Sequence, residues 1–307
     1  MILSKANLDE LASFDAAGFP ARDGETPEDL RNRVKNTFDI QEAFLTKLKE
    51  EGKATVFEEI DLFYKDLIPE ELTAEVEELT DNLYGFKVKH VAGFFLSGTV
   101  GLLWGGCLIG DPDTNFSVFL LRNGFKNKKR WLFYNRTELM AHELCHSVRQ
   151  VLDEHTLEEY FAYQTSPSPL RRYLGNCFIK ELDAILFIIP ALLLFVAELL
   201  HTLVWPNMHM IYFWILALLY PIYLLIRNAN ARRCVKKAAK NLQSLGFSNV
   251  NAILFRCTRT ELEEIGKCRN KIEVEELLNR YKDNQLRWQV TLYRFRKDRI
   301  YNQIDSI

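Results

Sequence analysis

The run His142-Glu143-Leu144-Cys145-His146 carries two imidazoles four positions apart, with a carboxylate directly after the first. On a helix, residues four apart share a face, so the two rings converge on one point. Two neutral imidazoles suit a zinc ion. Glu143 lies roughly 100° further around the helix. From there it reaches a metal-bound water without ligating the metal. Zinc lowers the pKa of such a water to about 7, and a nearby carboxylate can take its proton. The spacing therefore predicts His142 and His146 as metal ligands and Glu143 as catalytic base. Asn135 caps this helix in the same reading, with Glu138 three residues on, and the helix is expected to run through about residue 152.

A third ligand is required, and the segment from Asp153 to Tyr163 offers several. Thr156 is expected to cap a second helix beginning at Leu157 and antiparallel to the first. Glu159, Ala162, Tyr163 and Ser166 then share a face, and the small alanine lets the helices approach closely. Glu159 is the first choice of ligand, Glu158 the second and His155 the third. The longer H-E-x-x-H-x-x-G-x-x-H pattern fails, because Arg149 and Leu152 occupy its glycine and last histidine positions. Glu138 either orients an imidazole or completes a capping box. Arg149 either binds a substrate carboxylate or, preferably, pairs with Glu154 or Glu158. Tyr163 and His155 are possible oxyanion donors, although ordinary packing or exposure also accounts for them. Gly105-Gly106-Cys107 reads as a bulge, or as an edge strand that aligns a peptide.

The stretch Leu139 to Ser166 resembles gluzincin-type metallopeptidases, in which two histidines and a downstream glutamate bind zinc. More narrowly, HELCHSVR, EEYFAYQTSPS and the following RR, ahead of a hydrophobic hairpin, resemble a group of bacterial membrane-associated H-E-x-x-H proteins, over about residues 95–205. The resemblance implies a zincin-like catalytic fold, bound Zn2+ and the roles of His142, Glu143 and His146. This chain departs from many gluzincins in placing only 12 residues between His146 and Glu159. The motif helix must end early for Glu159 to reach back.

The elements around the motif read as follows. A helix starts at Thr26-Pro27, with Thr26 as cap and Val34, Phe38, Leu45 and Leu48 as a loose apolar stripe. A second runs from Pro69 to Leu83 and stops at Gly85. Short strands are expected at Phe86–Val91, Phe94–Leu96, Leu102–Ile109, Phe116–Leu121 and Trp131–Tyr134. Ala184 to Trp205 and Met208 to Ile226 are each long enough to cross a hydrocarbon core of roughly 30 Å, with Trp205-Pro206-Asn207 as the turn. Glu198 and His201 either pair on one face or sit near the far interface. Arg171, Arg172 and Lys180 precede the apolar stretches. Arg227, Arg232, Arg233, Lys236 and Lys237 follow them, and the turn carries no cation. That asymmetry predicts cytoplasmic flanks. The C-terminal block is read as helices near Thr260–Cys268 and Ile272–Asn284, then a strand at Leu286–Phe295.

Composition adds constraints. The 307 residues are 48% hydrophobic and 26% charged, with a formal net charge of −2, which gives no case for nucleic acid binding. No two of the six cysteines form a C-x-x-C pair, so thiolate zinc sites are unsupported and free thiols in a reducing compartment are expected. The N-terminus MILSKANLDELASFD lacks the apolar core of a signal peptide.

Together these features predict an α+β protein. A zincin-like catalytic domain with a small sheet and the H-E-x-x-H helix occupies residues 1–177. A two-helix transmembrane hairpin follows at 178–228, then a small, mostly helical cytoplasmic domain at 229–307. The expected function is a membrane-anchored zinc metallopeptidase that uses zinc-activated water on peptide or membrane-proximal protein substrates, with the lipid bilayer as its other partner. A hydrolase of non-peptide bonds is a further possibility. The alternative is a membrane-anchored binding or scaffold protein with a structural or degenerate zinc site, marked by a fourth ligand such as Cys145 or His155.

Overall fold

The computed structural model describes residues 4–57, 60–96, 104–111, 114, 116–132 and 134–296. Helices α1 (Lys5–Ala16) and α2 (Pro27–Glu51) are followed by the hairpin β1 (Lys53–Val56) and β2 (Ile60–Phe63), then α3 (Glu70–Tyr84). Strands β3 (Ala92–Leu96), β4 (Gly106–Asp111) and β5 (Phe116–Arg122) form a sheet of order β3-β5-β4, with β3 parallel and β4 antiparallel to β5. A two-residue-strand hairpin, β6 (Arg130–Trp131) and β7 (Tyr134–Asn135), leads into α4 (Arg136–Arg149). Short helices α5 (Glu158–Tyr163) and α6 (Pro169–Leu174) precede the apolar pair α7 (Glu181–Leu203) and α8 (Ile211–Gln243). Helices α9 (Val250–Phe255), α10 (Arg259–Lys267), α11 (Lys271–Asn284) and α12 (Leu286–Phe295) are the last elements among the described residues. The architecture is α+β and mostly helical.

Local chemistry sets the predicted boundaries. Thr26 and Asp29 form a reciprocal capping box with Pro27 as first helical residue, and Gly52 closes α2 in the left-handed region. Gly85 ends α3 the same way. Residues 86–91 differ from expectation. They pair with no strand among the described residues, and Phe86, Val88 and Val91 turn into the core instead. Within the expected strand at 102–109, residues 102 and 103 lie outside the described residues. Strand β4 starts at Gly106, where a Cβ would meet the Leu120 carbonyl at 2.6 Å. The expected strand at 131–134 is the β6–β7 hairpin, whose residue 133 is outside the described set.

The segment expected as a C-terminal strand is the helix α12. Its apolar residues serve two clusters at once. Leu286 and Val290 pack with Leu11 and Phe19, while Trp288, Leu292 and Phe295 enter the main core. Each pair Leu286/Val290 and Trp288/Leu292 has helical spacing, but interleaved they mimic the alternation of a strand.

One hydrophobic cluster contains residues of α3, α4 and α5 together with residues of α9, α10, α11 and α12. The C-terminal block is thus packed against the layer that carries the H-E-x-x-H motif. Two ionic bolts fix the packing. Buried Asp15 accepts from Arg256 Nε at 2.8 Å and pairs also with Arg294, while these arginines bond the Tyr84 and Gly85 carbonyls. Buried Arg287 pairs with Glu261 at 2.9 Å, and Trp288 Nε1 donates to the same carboxylate at 2.6 Å.

Helices α7 and α8 are both long and apolar enough to cross a membrane, and only 6% and 11% of their most apolar stretches are buried. Glu198 accepts a hydrogen bond from Trp214 Nε1 at 3.2 Å, so its partner lies on α8 rather than being His201.

Asp15→Ala should be severely destabilising, because it leaves two arginines clustered without their counter-charge. A loss of about 3–5 kcal/mol is expected, the scale for breaking a buried pair. Chemical denaturation of the purified full chain measures it, and a change below about 1 kcal/mol would refute the bolt, since that is the scale of exposed pairs.

Candidate metal centre

Helix α4 presents the motif because its two faces differ. Met140, Ala141, Leu144, Cys145 and Val148 are buried in the main core, while His142 and His146 stay partly exposed on the other side. The Asn135 side chain caps the helix by accepting from the N–H of Thr137 at 3.0 Å and of Glu138 at 3.5 Å. Helix α4 stops at Arg149, a short tight turn covers residues 150–152, and Asp153 reverses the chain at φ 48°. This early stop brings Glu159 back toward the histidines.

The cap of α5 differs from the sequence reading. Thr156 contributes no side-chain cap. The Glu154 carboxylate accepts instead from the N–H groups of Thr156 at 2.8 Å and Leu157 at 3.1 Å, and α5 begins at Glu158. Glu154 also faces Arg149 at 3.4 Å. Arg149 is fully buried, donates to the Phe255 and Cys257 carbonyls, and lies over the Phe161 ring. Its substrate-binding role is thereby corrected: a guanidinium sealed between α4, α5 and α9 cannot meet a substrate.

The ligand atoms of His142, His146 and Glu159 lie within 4.8 Å of one another, the one such group of three among the described residues. The Nε2 atoms of the two histidines are 3.2 Å apart. His142 Nε2 is 3.5 Å from one Glu159 oxygen, and His146 Nε2 is 3.4 Å from the other. Donors each about 2.0–2.1 Å from a tetrahedral ion sit roughly 3.3–3.4 Å apart, so the spacing fits such an ion. A metal can be held here by two imidazole nitrogens and one carboxylate.

Neighbouring groups orient the ligands. Glu158, the second-choice ligand, lies on the far side of His146, 3.7 Å from Nδ1, where its carboxylate faces the ring as an ion-pair partner. The Ala162 carbonyl accepts from the His142 ring. Such outer partners fix ring orientation in metal sites. His155 is exposed and approaches Asp153 at 3.7 Å and Glu158 at 3.8 Å, so it stands outside the group. The Tyr163 ring meets His142 edge-on with centroids 4.6 Å apart.

Glu143 is buried, and its Oε2 accepts from the Leu108 backbone N–H of strand β4 at 2.8 Å. Burial raises its carboxyl above the ordinary range, although His146 and the Leu108 N–H act against the rise. Burial, aided by His146, depresses His142 to about 4. Burial also disfavours the His146 cation, yet hydrogen bonds to Glu158 and Glu159 and the nearby carboxylates outweigh it and lift His146 to about 10. Burial pushes Glu159 up, but its bond to His146 and the imidazole charges leave it below the usual range. Burial and the neighbouring Glu159 raise the Tyr163 phenol to about 12, so it stays protonated at neutral pH.

Three features escaped the sequence reading. Leu108 holds Glu143 through its backbone, which no side-chain pattern announces, although the strand itself was expected at 102–109. Arg171 takes up Glu138 at 3.0 Å, so Glu138 serves neither an imidazole nor the N-cap backbone. Gly175 leaves room for Tyr163, because a Cβ there would stand 2.0 Å from the ring.

Two outcomes are expected. Glu158→Ala should weaken metal binding by about 10–100-fold, as loss of an outer partner does. Glu159→Ala, which removes a ligand, should weaken it further still. Chelator competition on the full chain ranks the two, and the reverse order contradicts this assignment. Below pH 10, metal must also displace the His146 proton. Apparent affinity should therefore rise up to about tenfold per pH unit between pH 6 and 8. An affinity that is flat over that range refutes the coupling.

Comparison with protein-family models, with curated proteins and with solved structures returned no match, so the functional reading rests on the chain's own residues.

Proposed function

We propose that the chain is a membrane-anchored zinc metallopeptidase. The observation that carries this reading is the 3.2–3.5 Å spacing of His142, His146 and Glu159 donor atoms, with buried Glu143 on the same helix. Two imidazoles and a carboxylate suit Zn2+ and leave its fourth position to water. A bound zinc ion would supply a Lewis acid and a water of lowered pKa. Glu143 would accept the proton of such a water and pass it to the leaving amine. Its raised pKa brings proton affinity toward neutral pH, where an acid–base group works best. Leu108 N–H holds the carboxylate in place during both transfers. Among the described residues, strand β4 is the edge of its sheet, and its Leu108 N–H faces Glu143 rather than β5. A peptide extended along β4 would therefore pass beside Glu143. Protonated Tyr163, packed on His142, is a donor for a developing oxyanion.

The binding-protein alternative called for a fourth ligand. Cys145 is fully buried in the core on the opposite side of α4, and His155 is out in solvent. Neither joins the three donors, which favours the reactive site. In this proposal α7 and α8 cross the bilayer and return the chain to the side it left. Residues 4–177 and 229–296 then share the cytoplasmic face, in keeping with the flanking cations.

Glu143→Gln should retain the metal and lose about 10²–10⁴-fold in peptide hydrolysis, the scale of a general base. A peptide library with parallel metal analysis tests it; full activity of the variant contradicts the mechanism. For topology, a cysteine placed at Asn207 should react with an impermeant reagent in intact cells while Cys268 does not. Protection at Asn207, with the protein recovered in the soluble fraction, would remove the membrane assignment.

A further inference from the structure

A second, smaller apolar surface lies next to the hairpin. Leu170 on α6 is 66% exposed, and Tyr173, Leu174 and Phe178 are exposed with it. Leu132 is 57% exposed at the tip of the β6–β7 turn, where its φ of 50° places a branched side chain in the left-handed region. The Arg171 guanidinium lies 5.3 Å from the Tyr134 ring centroid, which sets this turn beside α6. So many large apolar groups on one short stretch mark an interaction surface.

The attachment of α6 to α8 identifies what covers it. The apolar run of α8 ends at Ile226. The next two residues grip the segment containing α6: Arg227 donates to the Cys177 carbonyl and Asn228 to the Tyr173 carbonyl, both at 2.6 Å. One turn on, Arg232 donates to the Arg172 carbonyl and lies over the Tyr173 ring. Arg227 also pairs with Asp183 at the start of α7, at 2.5 Å. Helix α6 is therefore fastened at the level where both apolar helices leave the polar part of the chain. If those helices cross a bilayer, that level is the headgroup layer.

We infer that α6 and the β6–β7 turn form a membrane-contact surface, with Leu170, Tyr173, Leu174, Phe178 and Leu132 seated between lipid headgroups and acyl chains. Short segments with apolar residues on one side bind this zone of a bilayer. The consequence reaches the metal centre. Arg171 of α6 bonds Glu138 of α4, and Gly175 backs the Tyr163 ring that packs on His142. The contact surface is thus linked to the ligands through only a few side chains. The substrates of such a site are peptide segments that lie on the bilayer or have just emerged from it. This inference rests on the membrane and peptidase reading above.

The test places nitroxide labels on the full chain in phosphatidylcholine–phosphatidylglycerol vesicles, with Cys107, Cys234 and Cys268 replaced by serine. Labels go on Leu170→Cys, Leu174→Cys, mid-hairpin Leu193→Cys and the solvent-exposed Asp153→Cys. Collision with oxygen reports lipid, and collision with a nickel chelate reports water. Oxygen-dominated signals at 170, 174 and 193, with a nickel-dominated signal at 153, are expected. Nickel access at 170 and 174 with lipid at 193 overturns the contact surface while the hairpin stands. Shielding of 170 and 174 from both reagents means protein covers α6, and also overturns it. Nickel access at 193 removes the membrane reading and this inference with it.

Discussion

The architecture turns on one constraint: three donor groups that ordinarily carry water must be held 3.2–3.5 Å apart in a half-buried place. Two imidazole nitrogens at that distance gain little from each other. Desolvation opposes the charged form of each group, and a buried charge persists only when paired. Against burial, the nearby Glu158 and Glu159 carboxylates favour a proton on His146. A divalent cation can replace that proton and satisfy all three donors. The same arrangement that binds a proton tightly is thus preorganised for metal.

Holding these donors requires rigidity well beyond α4. The reversal between α4 and α5 depends on Asp153 in the left-handed region and on Glu154, which accepts from the Thr156 and Leu157 N–H groups ahead of α5 and faces Arg149. Arg149 in turn is anchored by carbonyls at the end of α9. The C-terminal block therefore supports the site from behind. Helix α6 and Gly175 support it from the side, and α8 fastens α6 in place. Both flanks of the metal group are tied to sequence that follows the apolar helices, more than 60 residues downstream of Glu159.

Local sequence made the core of the site legible. Fixed i and i+4 spacing determined that His142 and His146 converge, and helical angles placed Glu143 beside them. The proximity of Ala162 to Glu159 pointed to Glu159 over Glu158, and Glu159 is the carboxylate that lies with the two histidines. Caps at Thr26 and Asn135 and the stop at Gly85 are short-range chemistry, and these helix boundaries were readable; the stop at Gly52 is equally local but was not read. What escaped was long-range. The partner of Glu138 is Arg171, 33 positions away, and the partner of Glu143 is a backbone N–H with no side-chain signature. The preferred pairing of Arg149 with Glu154 or Glu158 is met by Glu154, but its full burial is visible only in the tertiary packing. Helix α12 was misread as a strand because it is buried on two sides, which blurs the helical period.

The central claim is that this group of three is a zinc site open to water. X-ray absorption at the zinc edge of the purified full-length protein tests it most directly. The account predicts one zinc per chain, with two imidazole nitrogens and oxygen donors at about 2.0–2.2 Å and no sulfur. A sulfur shell near about 2.3 Å, or a protein that binds no zinc at neutral pH, would contradict it.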